Sequence, residues 1–344
     1  MEWLEGFIIR QKRPVIYVSH DEVLLEKTAN MILHLEQVKK KSEARHTIYS
    51  GDYKSYVEKR LNSLDKQEQL ARNEKKEYEK KQKKLQQVMQ KVEYQQNTIS
   101  RSDPHGAKLL KKKMHSLKSQ ERKLDNLEIT EVPDVEEKIN FFFEMTTIPK
   151  MKKIIELKLE KLEVADKILC KNIEFEVLGN EHICNIGDNG CGKTTLIKKI
   201  VEELKDRDDL VVGYMPQDYD DILNKFEYVL DFICDTKVKD EITKARMYLG
   251  NMNFTKEEME GKISDLSNGT KAKLLLTKLV LDKCNVLVLD EPTRNVSPLS
   301  NPVIRRVLND FQGCIISVSH DRKYIEEVAT KVYRLDHDGL NVIM

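Results

Sequence analysis

The sequence predicts an α/β fold: an alternating α/β domain, preceded by a helical hairpin and by a short α/β piece that repeats the domain's own tail. Three observations carry this. A glycine-rich loop, "GDNGCGKT" (187–194), stands between an apolar strand and the start of a helix. The stretch from about 57 to 130 is nearly free of glycine and dominated by Lys, Glu and Gln. And "VIYVSHDEVLLEKTANMILHLE" (15–36) lies under "IISVSHDRKYIEEVATKVYRLD" (315–336) with no gap, at an offset of 300 residues. Val18, Ser19, His20, Asp21, Glu26, Ala29 and Leu35 are identical between the two, and the apolar positions coincide.

In chain order, residues 1–56 read as a short α/β piece. "MEWLEGFIIRQ" has helical apolar spacing, "PVIYVSH" reads as a buried strand, and "DEVLLEKTANMIL" as a helix. Residues 57–150 follow as a hairpin linker. Leu61 and Leu64, then Leu85, Met89 and Val92, fall at 3–4 spacing, as do Leu110, Met114, Leu117, Leu124 and Leu127. Between the two sets, "SRSDPHGAK" (100–108) punctuates a turn through Pro104 and Gly106. Each stripe is narrow, so each helix is expected to pack on one partner helix, as in an antiparallel coiled coil. The second arm, about 22 residues, would reach roughly 33 Å. "EVPDVEEKINFFFEM" and "KIIELKLEKLEV" (131–164) read as strands, and from 151 to 344 strands and helices alternate.

Charge separates these pieces. Formal net charge is +1 over 344 residues. Within 80–123, thirteen Lys and Arg face three acids, a local charge of +10 that leaves −9 on the rest. Ordinary solvated helices mix both signs, so a one-signed arm points to phosphate backbone, and so to nucleic acid. Lys108, Lys111, Lys112 and Lys113 flank the turn and would reach deepest. The six cysteines form no C-x-x-C pair, which argues against zinc or thioredoxin-like chemistry; most sit in apolar runs, as small buried hydrophobes of a reducing cytosol do. No apolar run approaches the ~20 residues needed to span a bilayer, and the N-terminus is no signal peptide.

Chemistry gathers in the last domain. The loop Gly187, Asp188, Asn189, Gly190, Cys191, Gly192, Lys193, Thr194, with Thr195 after it, has the G-x-x-x-x-G-K-T spacing that wraps backbone N–H groups round phosphates. Lys193 is placed for the β- and γ-phosphates of ATP, and Thr194 for Mg²⁺. "NVLVLDEPT" (285–293) is a strand ending in two carboxylates: Asp290 for Mg²⁺, Glu291 as general base for water. In "SDLSNGTKAKLLLTKLVL", Ser267 and Gly269 stand before a helix and suggest a second anion site. Gln217 ends a strand after the loop and can reach metal and water. His320 ends the strand after the carboxylates, toward the γ-phosphate.

That order of motifs, across about 155–340, resembles the ATP-binding-cassette (ABC) family, a P-loop NTPase fold. A cassette end, then "YSGDYKSYVEKR" (49–60), a charged hairpin and a second cassette resembles the F subfamily. The resemblance implies two cassettes in one chain, no membrane domain, a cytoplasmic location, ATP hydrolysis, and a linker that enters the ribosome beside transfer RNA, in a translation factor or in antibiotic-resistance protection of ribosomes. It implies that residues 1–56 are the C-terminal remnant of a first cassette, with His20 as its switch histidine and the rest expected upstream of Met1, so that ATP hydrolysis is impaired and a second cassette, the missing half or a second copy, is needed to complete the ATP site. Three positions depart from the pattern: Asn268 for a glycine, "RNVS" (294–297) for Asn-His-Leu-Asp, and Val164 where an adenine-stacking aromatic is common. The competing readings are the ATPase subunit of a membrane transporter and an inactive RNA-binding fragment.

Overall fold

The computed structural model describes residues 2–38, 41, 43–98, 104–126, 139, 141–143, 147–164, 167–236 and 238–344. They divide into two compact units: Met1–Tyr53 with Val135–Met344, and Lys54–Asp134.

The larger unit opens with the tail copy. Helices α1 (Glu2–Arg10) and α2 (Glu22–Thr28) are followed by strands β1 (Met31–Val38) and β2 (Glu43–Ser50), which pair antiparallel. Asp21 caps α2 by accepting the Leu24 N–H at 3.0 Å, and the Ser19 hydroxyl accepts the Asp21 N–H at 3.0 Å. Two expectations are corrected here. The helix ends at Thr28 rather than running to Leu33, because Met31–Val38 alternates in burial with period two and finds a strand partner in β2. And Pro14–Ser19 forms no strand: Ile16 is 97% and Val18 94% exposed. A strand needs neighbours to satisfy its backbone, and among the described residues none flank this copy.

The smaller unit holds α3 (Tyr53–Thr98, 46 residues) and α4 (Pro104–Asp125, 22 residues). Ala71, Val92 and Leu117 are buried along them, and Tyr78 donates to Asp125 across the hairpin at 3.3 Å. Helix α4 begins inside the stretch that the sequence assigned to the turn. Pro104 opens α4, where its missing N–H costs nothing, and Gly106 lies in the first helical turn. Leu127 and most of 131–145 fall outside the described residues; Ile139 and Phe141–Phe143 carry no strand.

From β3 (Lys153–Val164) and β4 (Lys167–Leu178), an antiparallel pair, the chain enters an alternating α/β unit. β5 (His182–Ile186) leads to α5 (Lys193–Leu204) and β6 (Val212–Met215). Then come α6 (Asp220–Leu223), α7 (Val229–Ile233), α8 (Lys239–Asn251), α9 (Lys256–Glu260) and α10 (Asn268–Leu281). β7 (Val286–Asp290), α11 (Asn301–Asn309), β8 (Cys314–Val318), α12 (Arg322–Val328), β9 (Lys331–Leu335) and β10 (Leu340–Val342) complete it. The sheet runs β10-β9-β5-β8-β7-β6, parallel except for β10.

Both faces of this sheet are buried, which explains its continuous apolar strands. In β7, Val286 and Val288 pack with α5 and the β3–β4 pair, whereas Leu287 and Leu289 join the layer of α7, α8, α10, α11 and α12. Such a sheet presents the C-terminal ends of its central strands as a crevice, where ligands of open α/β folds bind. Among the described residues no helix is long and apolar enough to cross a membrane. All six cysteines are free; burial pushes Cys184 and Cys284 up to about 12, so both are unreactive thiols.

Candidate nucleotide-binding site

The loop from β5 to α5 is shaped by close approach and handedness. A Cβ on Gly187 would stand 2.4 Å from the Leu335 carbonyl oxygen, so only glycine fits. Gly192 caps α5 with φ 107°, a left-handed conformation, and a Cβ there would press on Leu162 and Leu169 at 3.1 and 3.2 Å. Lys193 is buried and curls over its own loop, donating to the Gly187 and Asp188 carbonyls, each at 2.8 Å. Those bonds hold the ammonium above the loop mouth.

The loop opens into a cleft of about 410 Å³. Asn189, Gly190, Gly192, Lys193, Thr194 and Thr195 form its floor; Gln217, Asp290, Glu291 and His320 close it from the ends of β6, β7 and β8. Residues far apart in sequence are thus brought to one crevice by parallel strand order. Val164, Lys167 and Leu169 complete the wall. Lys167 and Leu169 were missed in the sequence, because they belong to a strand whose pattern signals only pairing. Asp188 and Cys191 support the loop without lining the cleft: Asp188 through its carbonyl, Cys191 half-buried beneath Gly187. Gly187 likewise shapes the loop from behind. Ser267 and Gly269 are not on the cleft. Ser267 caps α10, accepting the Thr270 N–H at 3.1 Å, and Gly269 lies close to the Asn295 carbonyl.

Electrostatics distinguish the two carboxylates. Both Asp290 side-chain oxygens are buried and complete no hydrogen bond. The Thr194 hydroxyl lies near enough to pull the acid's pKa down, but burial dominates and raises it. A buried carboxylate left with open lone pairs beside a threonine hydroxyl fits a hard cation such as Mg²⁺. Glu291 is raised to about 7, chiefly by burial, against the His320 N–H that its Oε2 accepts at 3.2 Å. Its backbone is left-handed (φ 56°), rare for a side chain of this size and typical of functional turns. His320 is lowered by burial and by nearby Lys193, so its ring is neutral at physiological pH.

A further contact joins the tail copy to this region. His20 Nδ1 lies 3.0 Å from the Val296 carbonyl oxygen, six residues beyond Asp290. The first copy of the histidine therefore touches the segment that follows the carboxylates of the second.

Comparison with known proteins agrees with this geometry. The family described as "ABC transporter" matches residues 170–294. "ABC transporter F family member 5" of Arabidopsis thaliana is 26% identical over 98% of this chain and 46% of its own length. "Putative ATP-binding protein YdiF" of Bacillus subtilis is 28% identical over 97% of this chain and 49% of its own. "ATP-binding protein Uup-like" of Haemophilus influenzae is 28% identical over 98% of this chain and 70% of its own. The chain spans about half the length of most of the curated relatives it matches. The loop, the carboxylate pair and the histidine are thus set in one crevice of a parallel sheet, in a chain that matches the ATP-binding-cassette family over 170–294 and is similar to F-type relatives over nearly its whole length.

Proposed function

We propose that the cleft binds Mg-ATP and hydrolyses it, and that the basic hairpin brings the chain to ribosomal and transfer RNA in the cytoplasm, in translation or in protecting ribosomes from antibiotics. The observation that carries the ATPase reading is the convergence of Lys193, Thr194, Gln217, Asp290, Glu291 and His320 on one cleft. Lys193 exchanges its two carbonyl partners for phosphate oxygens. Mg²⁺, held by Thr194, Gln217 and Asp290, would supply positive charge to the phosphates. Glu291, poised near neutrality by burial, accepts a proton from water. The neutral His320 ring contacts the γ-phosphate from the end of β8.

Ser267 and Gly269 lie off this cleft, which supports the reading that they serve a site on another cassette. The RNA reading rests on charge and on family. Lys108, Lys111, Lys112 and Lys113 are all exposed on α4, and the arm's excess of bases has no counterpart in the rest of the chain.

Phosphate release with Mg-ATP tests the ATPase reading. The parent should turn over slowly. Lys193→Ala should lose fluorescent-ATP binding, and Glu291→Gln should keep binding while turnover falls roughly 10²-fold or more. Equal nucleotide affinity of parent and Lys193→Ala would refute the site.

A further inference from the structure

The first 30 residues and residues 301–330 are two copies of one motif, and they meet within the larger unit. At the 300-residue offset α1 and α2 correspond to α11 and α12; Trp3, Leu4, Phe7 and Ile8 fall on Val303, Ile304, Val307 and Leu308. The polar contacts between the copies obey the same offset. Arg305 donates from both terminal nitrogens to the Glu22 carboxylate, at 2.6 and 3.2 Å. Arg322 lies 2.5 Å from the Glu5 carboxylate. Moving each residue to its counterpart in the other copy turns the first pair into the second: Glu22 becomes Arg322, and Arg305 becomes Glu5. Reciprocal contacts of this kind mark a two-fold, isologous junction.

The positions are repeated, but the charges are inverted. The first copy carries glutamate at both contact positions and the second carries arginine. Their supports are inverted as well. Lys27 pairs with Glu5 at 2.9 Å, while the equivalent residue of the second copy, Glu327, accepts from Arg305 at 2.8 Å. Burial gives the inversion its force. Arg305 is 2% exposed, Glu5 5% and Glu22 6%, so each charge depends on its partner rather than on water.

We propose that this inversion makes the junction selective for an unlike partner: the face built by α11 and α12 takes a tail with acids at the positions of Glu5 and Glu22, and rejects a second copy of itself. In a self-pair, Arg305 of each chain would meet Arg322 of the other. Asp321 and Glu326 would still offer carboxylates to Arg322 and Lys323, as Asp21 and Glu26 do now at 3.2 and 2.5 Å. Arg305, however, would trade a two-pronged carboxylate for a guanidinium in a site closed to water. Like charges placed against the wrong partner are how specific interfaces discriminate. The cassette is thereby directed to a heterologous partner, and in this chain its own N-terminal copy fills the role.

The test needs no nucleotide, so its outcome is independent of the ATPase reading. Three full-length proteins are compared by sedimentation velocity over a concentration series and by hydrogen exchange of α1 and α2: the parent, Glu22→Gln with Arg322→Gln, and Glu22→Gln with Arg322→Glu. The exchange of β7 and β8 reports whether the sheet is intact in each variant. The parent should be monomeric with α1 and α2 protected. Both variants should release the tail, with exchange there roughly tenfold faster or more. Only the Arg322→Glu protein should dimerise, because each Arg305 then meets a glutamate from the second copy. Self-association of the parent or of the neutral variant as strong as that of the Arg322→Glu protein would overturn the proposal. So would a released but monomeric Arg322→Glu protein, or unchanged protection of α1 and α2.

Discussion

Glu291 accepts the backbone N–H of His320 at 3.2 Å through one oxygen, and its other oxygen lies 3.8 Å from the His320 ring. The pair ties the end of β7 to the end of β8 across the mouth of the cleft. Glu291 is 8% exposed, so its charge is poorly solvated, and its carboxyl is held up to about 7. The folded chain therefore prefers the protonated acid. Stability from this group is fully present below the unfolded value of 4.5 and is lost as pH rises through about 7.

Glu291→Gln removes that penalty while keeping an acceptor for the His320 N–H. Its urea midpoint should match the parent's near pH 4.5. At pH 8 it should be the more stable protein by about 3 kcal/mol. Parallel curves at both pH values would show that Glu291 titrates normally.

Gly192→Ala forces a left-handed φ of 107° onto a residue with a Cβ and presses that Cβ on Leu162 and Leu169. Stability should fall by about 1–3 kcal/mol, with weaker nucleotide binding because the loop and α5 move together. Chemical denaturation and a fluorescent-ATP titration on the same preparation read both effects.

Breaking the junction from one side should cost more than removing both charges. Arg305→Met leaves Glu22 with Lys323 alone, and Glu327 without its arginine. The loss should approach about 3 kcal/mol. Adding Glu22→Met should recover part of it, since a buried apolar pair needs no partner. A double variant as unstable as the sum of the singles would mean that the two residues do not interact.

The loop and the carboxylate strand were legible in the sequence because each is local: glycines and aliphatics in a fixed spacing determine their own geometry. The two arms of the hairpin were legible from the spacing of Val92 and Leu117. Where neighbours decide the outcome, reading failed. "VIYVS" has the composition of β8, but β8 is a strand because β5 and β7 bond it on either side. Met31–Leu33 reads as the end of a helix, yet it opens a strand because β2 pairs with it. Asp188 and Cys191 share the loop pattern, yet they support the loop from outside the cleft. The Glu22–Arg305 pair depends on burial, which no local spacing announces, although the charge reversal at the 300-residue offset was written in the chain.

The most direct measurement of the central claim, an ATP-binding protein that engages RNA through its basic arm, is ribosome pelleting across a salt series. It compares the parent with a variant carrying glutamate at Lys108, Lys111, Lys112 and Lys113, with ATP binding followed in parallel. Each lysine that neutralises a phosphate adds nearly one unit to the log–log salt slope. The variant should pellet weakly with a slope flatter by up to about four units, and its affinity for ATP should be unchanged. Equal pelleting of the two proteins at every salt concentration would contradict the account.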